Sequence, residues 1–367
     1  MLTEEIAKEI VYQTMTRLDR NINIMNDKGI IIASGDLDRI RQRHGGAKEV
    51  IRTGKPLIID EQNLHLWEGT CAGINLPIEF QGSIIGVIGI TGNPEEIMEF
   101  GELVKMITEM MIKQSFIADQ YEWKQALIES VFDELLMNTA SLAPINQRLR
   151  VIGVHLEPPY QIGILELNKN KLGKNDLLYR LNELFEETDT LIGFLTINRL
   201  FILTSNLPEA EARRRMESAV QKLNDKGASA KIGVGSVICE TALVHQSFDE
   251  ALCALKFGDR NQTIIPYNEI EAKALLGQLG EQTRNKFAAR MIGSLSSMLV
   301  ETLECFLDCN LNIGICAKQL YIHRNSLVYR LKKIKDITGY NPQNVQDAFH
   351  LQLAIWLWNM KENEYAK

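Results

Sequence analysis

The residues with the plainest chemical use lie between Ile313 and Lys335, where Lys318, Arg324, Arg330, Lys332, Lys333 and Lys335 occur with no Asp or Glu among them. Clustered charge of one sign suits phosphate binding, because each neutralised phosphate releases condensed counterions. Interleaved are His323, Asn325, Ser326 and Tyr329, whose side chains donate and accept as base edges require. The spacing predicts two short helices meeting across a tight turn. Ala317 and Leu320 face inward from the first, Ile322 fills the corner, and Leu327, Leu331 and Ile334 form the buried stripe of the second. A recognition helix offers its N-terminal residues to the bases, so His323, Arg324, Asn325 and Ser326 are the base-edge candidates. Arg330, Lys332 and Lys333 are assigned to phosphates, and Lys318 and Tyr329 complete the DNA-binding set. The competing reading is a helical hairpin with a solvated basic face.

A second group could hold a small hydroxy acid, whose carboxylate needs cations or free backbone N–H groups and whose hydroxyls need short polar side chains. Arg39 and His44 supply donors, Gly45, Gly46 and Ala47 could open a helix with available amides, and Ser34 and Asp36 could meet hydroxyls. Gly73, Ile74, Asn75, Leu76 and Pro77 offer a second wall. Each also has a plain structural reading: Arg39 pairing with Asp36 or Asp38, Asn75 as a strand or bulge residue, Gly45-Gly46 as a turn.

Elements that would position these groups follow from patterning. Ile6, Ile10, Val11 and Leu18 give a helical stripe; NINIMN and IIIAS flank an Asn26-Asp27-Lys28-Gly29 turn, and AGINLPIEF and SIIGVIGI are joined by Gln81-Gly82. A helical excursion, SGDLDRIRQRHGGAKEVIRTG, and the strand PLIID lie between the hairpins, an order analogous to PAS-like α/β sensors. Asn93-Pro94-Glu95-Glu96 starts a long helix. Phe100, Ile107, Gln114, Tyr121, Ile128 and Leu135 recur every seven residues, with Val104, Met111, Ala118, Gln125 and Phe132 four behind, so a coiled-coil stalk of about 60 Å is expected. Separate helices packed on their own domains are the alternative. Strands and helices alternate again from Pro144 to Pro266. Gly233-Val234-Gly235 there belongs to neither a GxGxxG array nor a phosphate loop. The rest reads helical: KFAARMIGSLSSMLVETLECFLD puts Phe287, Met291, Leu295, Met298, Leu299, Leu303 and Phe306 on one side of one helix, and VQDAFHLQLAIWLWN follows with Asn344 as N-cap.

The segment LVETLECFLDCNLNIGICAKQLYIHRNSLVYRLKKIKDITG resembles the C-terminal helix-turn-helix of PucR-like and carbohydrate diacid regulators, with HRNSLVYRL its most distinctive part. NINIMNDKGIIIASGDLDRI, HGGA, GINLPI and IIGVIGITGNPEE are similar to the sugar-diacid recognition domain of the same regulators. KIGVGSVICETALVHQSFDEALCALKFG is similar to their degenerate diguanylate-cyclase-like domain. The resemblance implies an α+β multidomain chain: a PAS-like sensor with a long helix over 1–135, a cyclase-like α+β domain over 136–270, and an all-α helix-turn-helix domain over 280–362. It implies ligands such as glucarate, galactarate or glycerate, and carries over Ser34, Gly35, Asp36, Arg39, His44, Ala47, Gly73, Asn75 and Pro77. Arg41 departs from a more usual glycine and Gly45 from a common acid; the extra cation either favours an acidic ligand or faces solvent.

The net charge of −7 confines any phosphate contact to the basic segment. No apolar run approaches bilayer length and the N-terminus is no signal peptide, so a cytoplasmic location is expected. Cys71, Cys239, Cys253, Cys305, Cys309 and Cys316 lack CxxC spacing and are expected to be reduced, mostly buried thiols. Cys305, Cys309, Cys316 and His323 match no common zinc spacing, so neither metal nor cofactor is assigned. The expected function is that of a DNA-binding regulator, activating sugar diacid or glycerate utilisation genes, that senses a hydroxy acid as a homodimer or higher homo-oligomer without membrane contact. The alternatives are a PucR-like regulator of another metabolite, a protein-binding scaffold, and a nucleotide-processing enzyme using Glu183, Glu186, Glu187 and Asp189. That acidic group reads instead as the polar end of a helix, and no enzymatic activity is expected.

Overall fold

A computed structural model describes residues 2–18, 20–137, 140–169, 172–259 and 262–365. It divides into two compact units, 1–126 and 127–367, and has the mixed α+β character expected from the patterning.

The first unit is built on α1 (Glu4–Leu18), β1 (Ile22–Asn26), β2 (Ile31–Ser34), α2 (Gly45–Thr53), β3 (Leu57–Ile59), β4 (Gly73–Phe80), β5 (Ser83–Thr91) and the start of α3 (Pro94–Leu135). Its antiparallel sheet has the order β2-β1-β5-β4-β3. The β1–β2 turn is fastened by the Asn26 side-chain oxygen, which accepts from Lys28 N and Ile30 N at 3.0 Å each. At the β4–β5 turn Gln81 and Gly82 have φ of 50° and 79°, the pair of left-handed residues that a two-residue hairpin requires. Strand alternation then sorts the side chains. Ile22, Ile24, Ile74, Leu76, Ile88 and Ile90 face α1 and α3, where Ile10, Ile97 and Val104 close a core. Met25, Ile31 and Val87 face α2 against Ala47 and Val50. β5 is thus covered on both faces, which explains its unbroken apolar run. Ile10 and Val11 are buried as their spacing predicts; the side chain of Leu18 lies outside the described residues.

The second unit takes the end of α3 and continues through α4 (Leu142–Leu149), β6 (Tyr160–Lys169), α5 (Lys174–Leu184), β7 (Leu191–Thr196), β8 (Arg199–Ser205), α6 (Glu209–Asp225), β9 (Ser229–Val234), α7 (Val244–Phe257) and β10 (Ile264–Pro266). The sheet order is β10-β9-β6-β8-β7, with β9–β10 parallel and the other pairs antiparallel. Gly233 and Gly235 have a packing role: a Cβ on either would overlap the backbone of α7 at Ala251 or Ser247. The helices α8 (Tyr267–Gly277), α9 (Glu281–Ile292), α10 (Ser297–Asp308), α11 (Ile313–Gln319), α12 (Arg324–Thr338) and α13 (Val345–Tyr365) follow.

Two sequence expectations need correction. The single helix expected from Phe287 to Phe306 is two, α9 and α10, broken over Gly293–Ser296, where one glycine and two serines weaken helix propagation. The seven-residue pattern of α3 is not one seam. Val104 is buried in the sensor core and Ile128, Phe132 and Leu135 in the core of the second unit, while Phe100 and Ile107 are exposed. Asn344 caps α13 as expected, accepting from Gln346 N and Asp347 N at 3.0 and 3.2 Å.

Candidate nucleic-acid interface and ligand site

The α11–α12 pair forms the expected helix-turn-helix. Asn312 caps α11 by accepting from Ile315 N at 3.0 Å, and His323 caps α12 by accepting from Asn325 N through Nδ1 at 3.2 Å. Cys316, Ala317, Leu327, Leu331 and Ile334 bury the facing sides with α10 and α13, and Leu320 and Ile322 pack against them. Helical periodicity then turns Arg324, Asn325, Ser326, Tyr329, Lys332 and Lys333 outward, all exposed, together with Lys318 and His323. Among the described residues no carboxylate lies within ion-pair distance of Lys318, Arg324, Lys332, Lys333 or Lys335. On α6, by contrast, Arg213, Arg214 and Arg215 are matched to Glu217 and Glu211 at 2.7 to 3.2 Å. The α12 cations therefore keep their charge for an outside anion.

The structure differentiates the residues assigned to this face. Arg330 is half-buried and its Nη1 donates to Thr302 Oγ1 of α10 at 3.1 Å, so it ties the recognition helix to its support. His323 has one ring nitrogen committed to the cap. Tyr321, absent from the sequence-derived set, stands 96% exposed in the turn with φ of 54°. An aromatic two residues before the N-cap is the signal the sequence offers for it. Cys305, Cys309 and Cys316 meet in the core beneath, their sulfurs all within 4.8 Å of one another. Burial pushes the Cys305 thiol up to about 11 and raises the other two, as expected of packed thiols held protonated.

In the first unit the hydroxy-acid candidates separate by strand face. His44 is 3% exposed and caps α2, its Nδ1 accepting from Ala47 N at 3.1 Å. Burial, with the nearby Arg39 guanidinium second, lowers its pKa to about 4. The ring is neutral at pH 7, with Nε2 as its donor. Gly45 N donates to Glu68 O at 3.0 Å, so the first-turn N–H without a protein acceptor, among the described residues, is that of Gly46. A Cβ on Gly46 would meet Ile59 Cδ1 at 2.9 Å, Leu57 Cδ2 at 3.3 Å and Asn75 Nδ2 at 3.4 Å, and one on Gly89 would lie 3.0 Å from Asn75 Oδ1. Asn75 is 3% exposed and its Oδ1 is buried without a partner. Among the described residues the Gly46 N–H and, on the Gly89 side of the Asn75 amide, the buried Oδ1 are thus left without protein partners.

Other candidates fall elsewhere. Ser34 shares the α2 face but is engaged, donating to Asn23 Oδ1 at 2.6 Å and accepting from Asp36 N at 3.0 Å. Pro77 is buried two residues along β4 from Asn75, on the same face. Leu76 is corrected: alternation sends its side chain into the α1/α3 core. Gly35 and Gly73 serve packing, since a Cβ on Gly35 would overlap Met15 of α1 and one on Gly73 the carbonyl of Ile90. Asp36 is exposed and accepts from Asp38 N at 3.2 Å, while Arg39 donates to Gly69 O at 2.7 Å and forms no ion pair with Asp36 or Asp38. Arg41 is exposed with φ of 71°, a left-handed conformation that glycine adopts without strain.

Comparison with known proteins agrees with this layout. Family profiles match a sugar diacid recognition domain at residues 2–135, a GGDEF-like domain at 138–257, and a PucR C-terminal helix-turn-helix domain at 299–357. The carbohydrate diacid regulator of Escherichia coli K12 is 30% identical over 97% of this chain and 98% of its own. The uncharacterized protein YsfB of Bacillus subtilis is 26% identical over 96% of each chain. The DNA-binding transcriptional activator AdeR of Bacillus subtilis is 28% identical over 57% of this chain and 54% of its own. Among the described residues no helix is long and apolar enough to cross a membrane. The charged helix-turn-helix and this end-to-end similarity converge on one assignment: the chain belongs to the carbohydrate diacid regulator family of transcriptional regulators.

Proposed function

We propose that this regulator binds promoter DNA through α12, senses a small hydroxy acid beneath α2, and activates genes for sugar diacid or glycerate utilisation as a cytoplasmic homodimer. The observation that carries the DNA reading is the open face of α12: exposed Arg324, Asn325, Ser326 and Tyr329 beside cations that, among the described residues, no carboxylate neutralises. Arg324, Asn325 and Ser326 sit at the helix start, where a recognition helix meets base edges, and Lys332 and Lys333 lie further along, where backbone phosphates pass. Lys318 adds charge from α11. Two-fold pairing of such units matches paired half-sites. The name of AdeR supports activation over repression.

The ligand reading is supported by two polar groups that have no protein partner among the described residues, the Gly46 N–H at the start of α2 and the buried Asn75 Oδ1 on β4. A carboxylate oxygen accepts from Gly46 N–H at the positive end of α2, a hydroxyl donates to Asn75, and the His44 Nε2–H and Arg39 supply further donors. Glucarate, galactarate and glycerate all carry that pair of groups on adjacent carbons.

Fluorescence anisotropy of the full chain on a duplex from its own promoter tests the whole reading. The expected result is an affinity that falls steeply with salt and shifts when one of the three acids is added. Salt-independent binding overturns the DNA assignment, and indifference to all three acids overturns the ligand assignment.

A further inference from the structure

The long helix α3 carries an apolar stripe that its own unit leaves uncovered. Phe100, Leu103, Met106, Ile107, Met110 and Ile117 are each between 38% and 60% exposed. The helix already has a buried side, through Ile97, Val104, Thr108 and Ile112, and a salt-bridged polar side, where Lys105 reaches Glu79 and Glu109 at 3.6 and 3.8 Å. The stripe is a third face. Phe100, Ile107 and Gln114 repeat every seven residues, as do Leu103, Met110 and Ile117 three positions on, which is the alternation of a two-stranded coiled coil. The exposed apolar area is on the order of 600 Å² per copy, close to the roughly 800 Å² that each partner contributes to a standard interface.

We infer that this stripe is the seam along which two copies of the chain pair, parallel and in register; the inference rests on the dimeric reading above and assigns its surface. A second copy fits because the flanking positions, Glu99, Val104, Met106, Met111, Lys113, Ala118 and Gln120, include only two charges, and in parallel pairing Glu99 faces Val104 of the other copy. In parallel pairing Lys113 faces Ala118 of the other copy, so no like charges meet. Gln114 selects the orientation. A parallel pair sets the two Gln114 amides opposite each other, where each donates to the other, whereas an antiparallel pair sets each against an apolar side chain and leaves it unsatisfied. The heptad pattern visible in the sequence therefore carries a dimer over residues 100–117 only, because beyond Ala126 its members enter the core of the second unit.

Sedimentation velocity on the full chain, with and without Leu103→Glu/Met110→Glu, tests the seam. The native chain is expected to sediment as a dimer, and the double variant as a monomer whose dissociation constant is raised by about 100-fold or more, with unchanged helical circular dichroism. Under mild oxidation Met110→Cys is expected to give a covalent dimer, while Lys105→Cys stays at the background set by the exposed Cys71 and Cys239. A double variant that remains dimeric, or a Met110→Cys chain that does not cross-link above that background, overturns the seam. A monomeric native chain overturns the dimer reading itself, a separate result.

Discussion

The helices α2 and α12 begin in the same way and sit in different surroundings. Each is capped by a histidine whose Nδ1 accepts a backbone N–H of the first turn, at 3.1 Å for His44 and 3.2 Å for His323. Around His44 the sheet closes in, the next three residues are Gly45, Gly46 and Ala47, and the ring is buried. Around His323 nothing closes in, and Arg324, Asn325 and Ser326 extend into solvent. The small residues of α2 are closely packed, a Cβ on Gly45 lying 2.9 Å from Glu68 N and one on Gly46 2.9 Å from Ile59 Cδ1, whereas the long polar residues of α12 stand free for a surface as large as a duplex groove. One capping device thus occurs in two settings, and the tertiary surroundings make the difference between them.

The largest expected difference between the two ends is in pH response. In the unfolded chain His44 titrates near 6.5 and in the folded chain near 4, so between those values the unfolded state binds the extra proton. Stability is therefore full above pH 6.5 and declines as pH falls towards 4, by roughly 3 kcal/mol across that interval. Urea melts from pH 7 to 4 read this loss, and His44→Asn, which keeps a capping oxygen, is expected to flatten it. If His44→Asn and the native chain lose stability in parallel, the buried cap is not the cause.

Next in size is a pair of asparagines. Asn325→Ala is expected to reduce discrimination among operator base pairs by about 1 to 3 kcal/mol, leaving the acid response intact. Asn75→Ala is expected to abolish the rise in melting temperature on adding acid, with operator affinity of the ligand-free chain unchanged. Competition binding and thermal shift on both variants make the check, and crossed effects would erase the distinction drawn between α2 and α12. Smaller still, Lys333→Ala should weaken all duplexes alike and reduce the slope of log affinity against log salt by about 1 per subunit. Arg330→Ala should differ from it by also lowering stability by about 1 kcal/mol, since it loses the bond to Thr302. The smallest effects concern strain. Tyr321→Gly and Arg41→Gly each relieve a left-handed non-glycine residue and should gain up to about 1 kcal/mol in a melt. Tyr321→Gly alone should weaken DNA binding; equal DNA affinity in both variants would remove Tyr321 from the interface.

Much of the fold is legible in the sequence. The two hairpins follow from turn residues that tolerate positive φ, the helix-turn-helix core from the spacing of Leu327, Leu331 and Ile334, and the outward face from the residues between them. The ligand candidates are legible as a region. Their sorting is not, because a strand sends Asn75 and Leu76 to opposite faces and the sequence does not say which face α2 covers. The four-residue spacing of Cys305 and Cys309 puts both on one helix face, but nothing in the sequence announces that α11 brings the Cys316 sulfur to them.

Alone, the order of residues determined what depends on near neighbours: caps, turns, periodicity and the local surplus of cations. Which buried atom keeps a partner, which histidine loses its proton, and which stripe of α3 stays open were decided only when distant segments packed. Desolvation and hydrogen-bond satisfaction are properties of surroundings, and those surroundings are assembled from residues far apart in the chain.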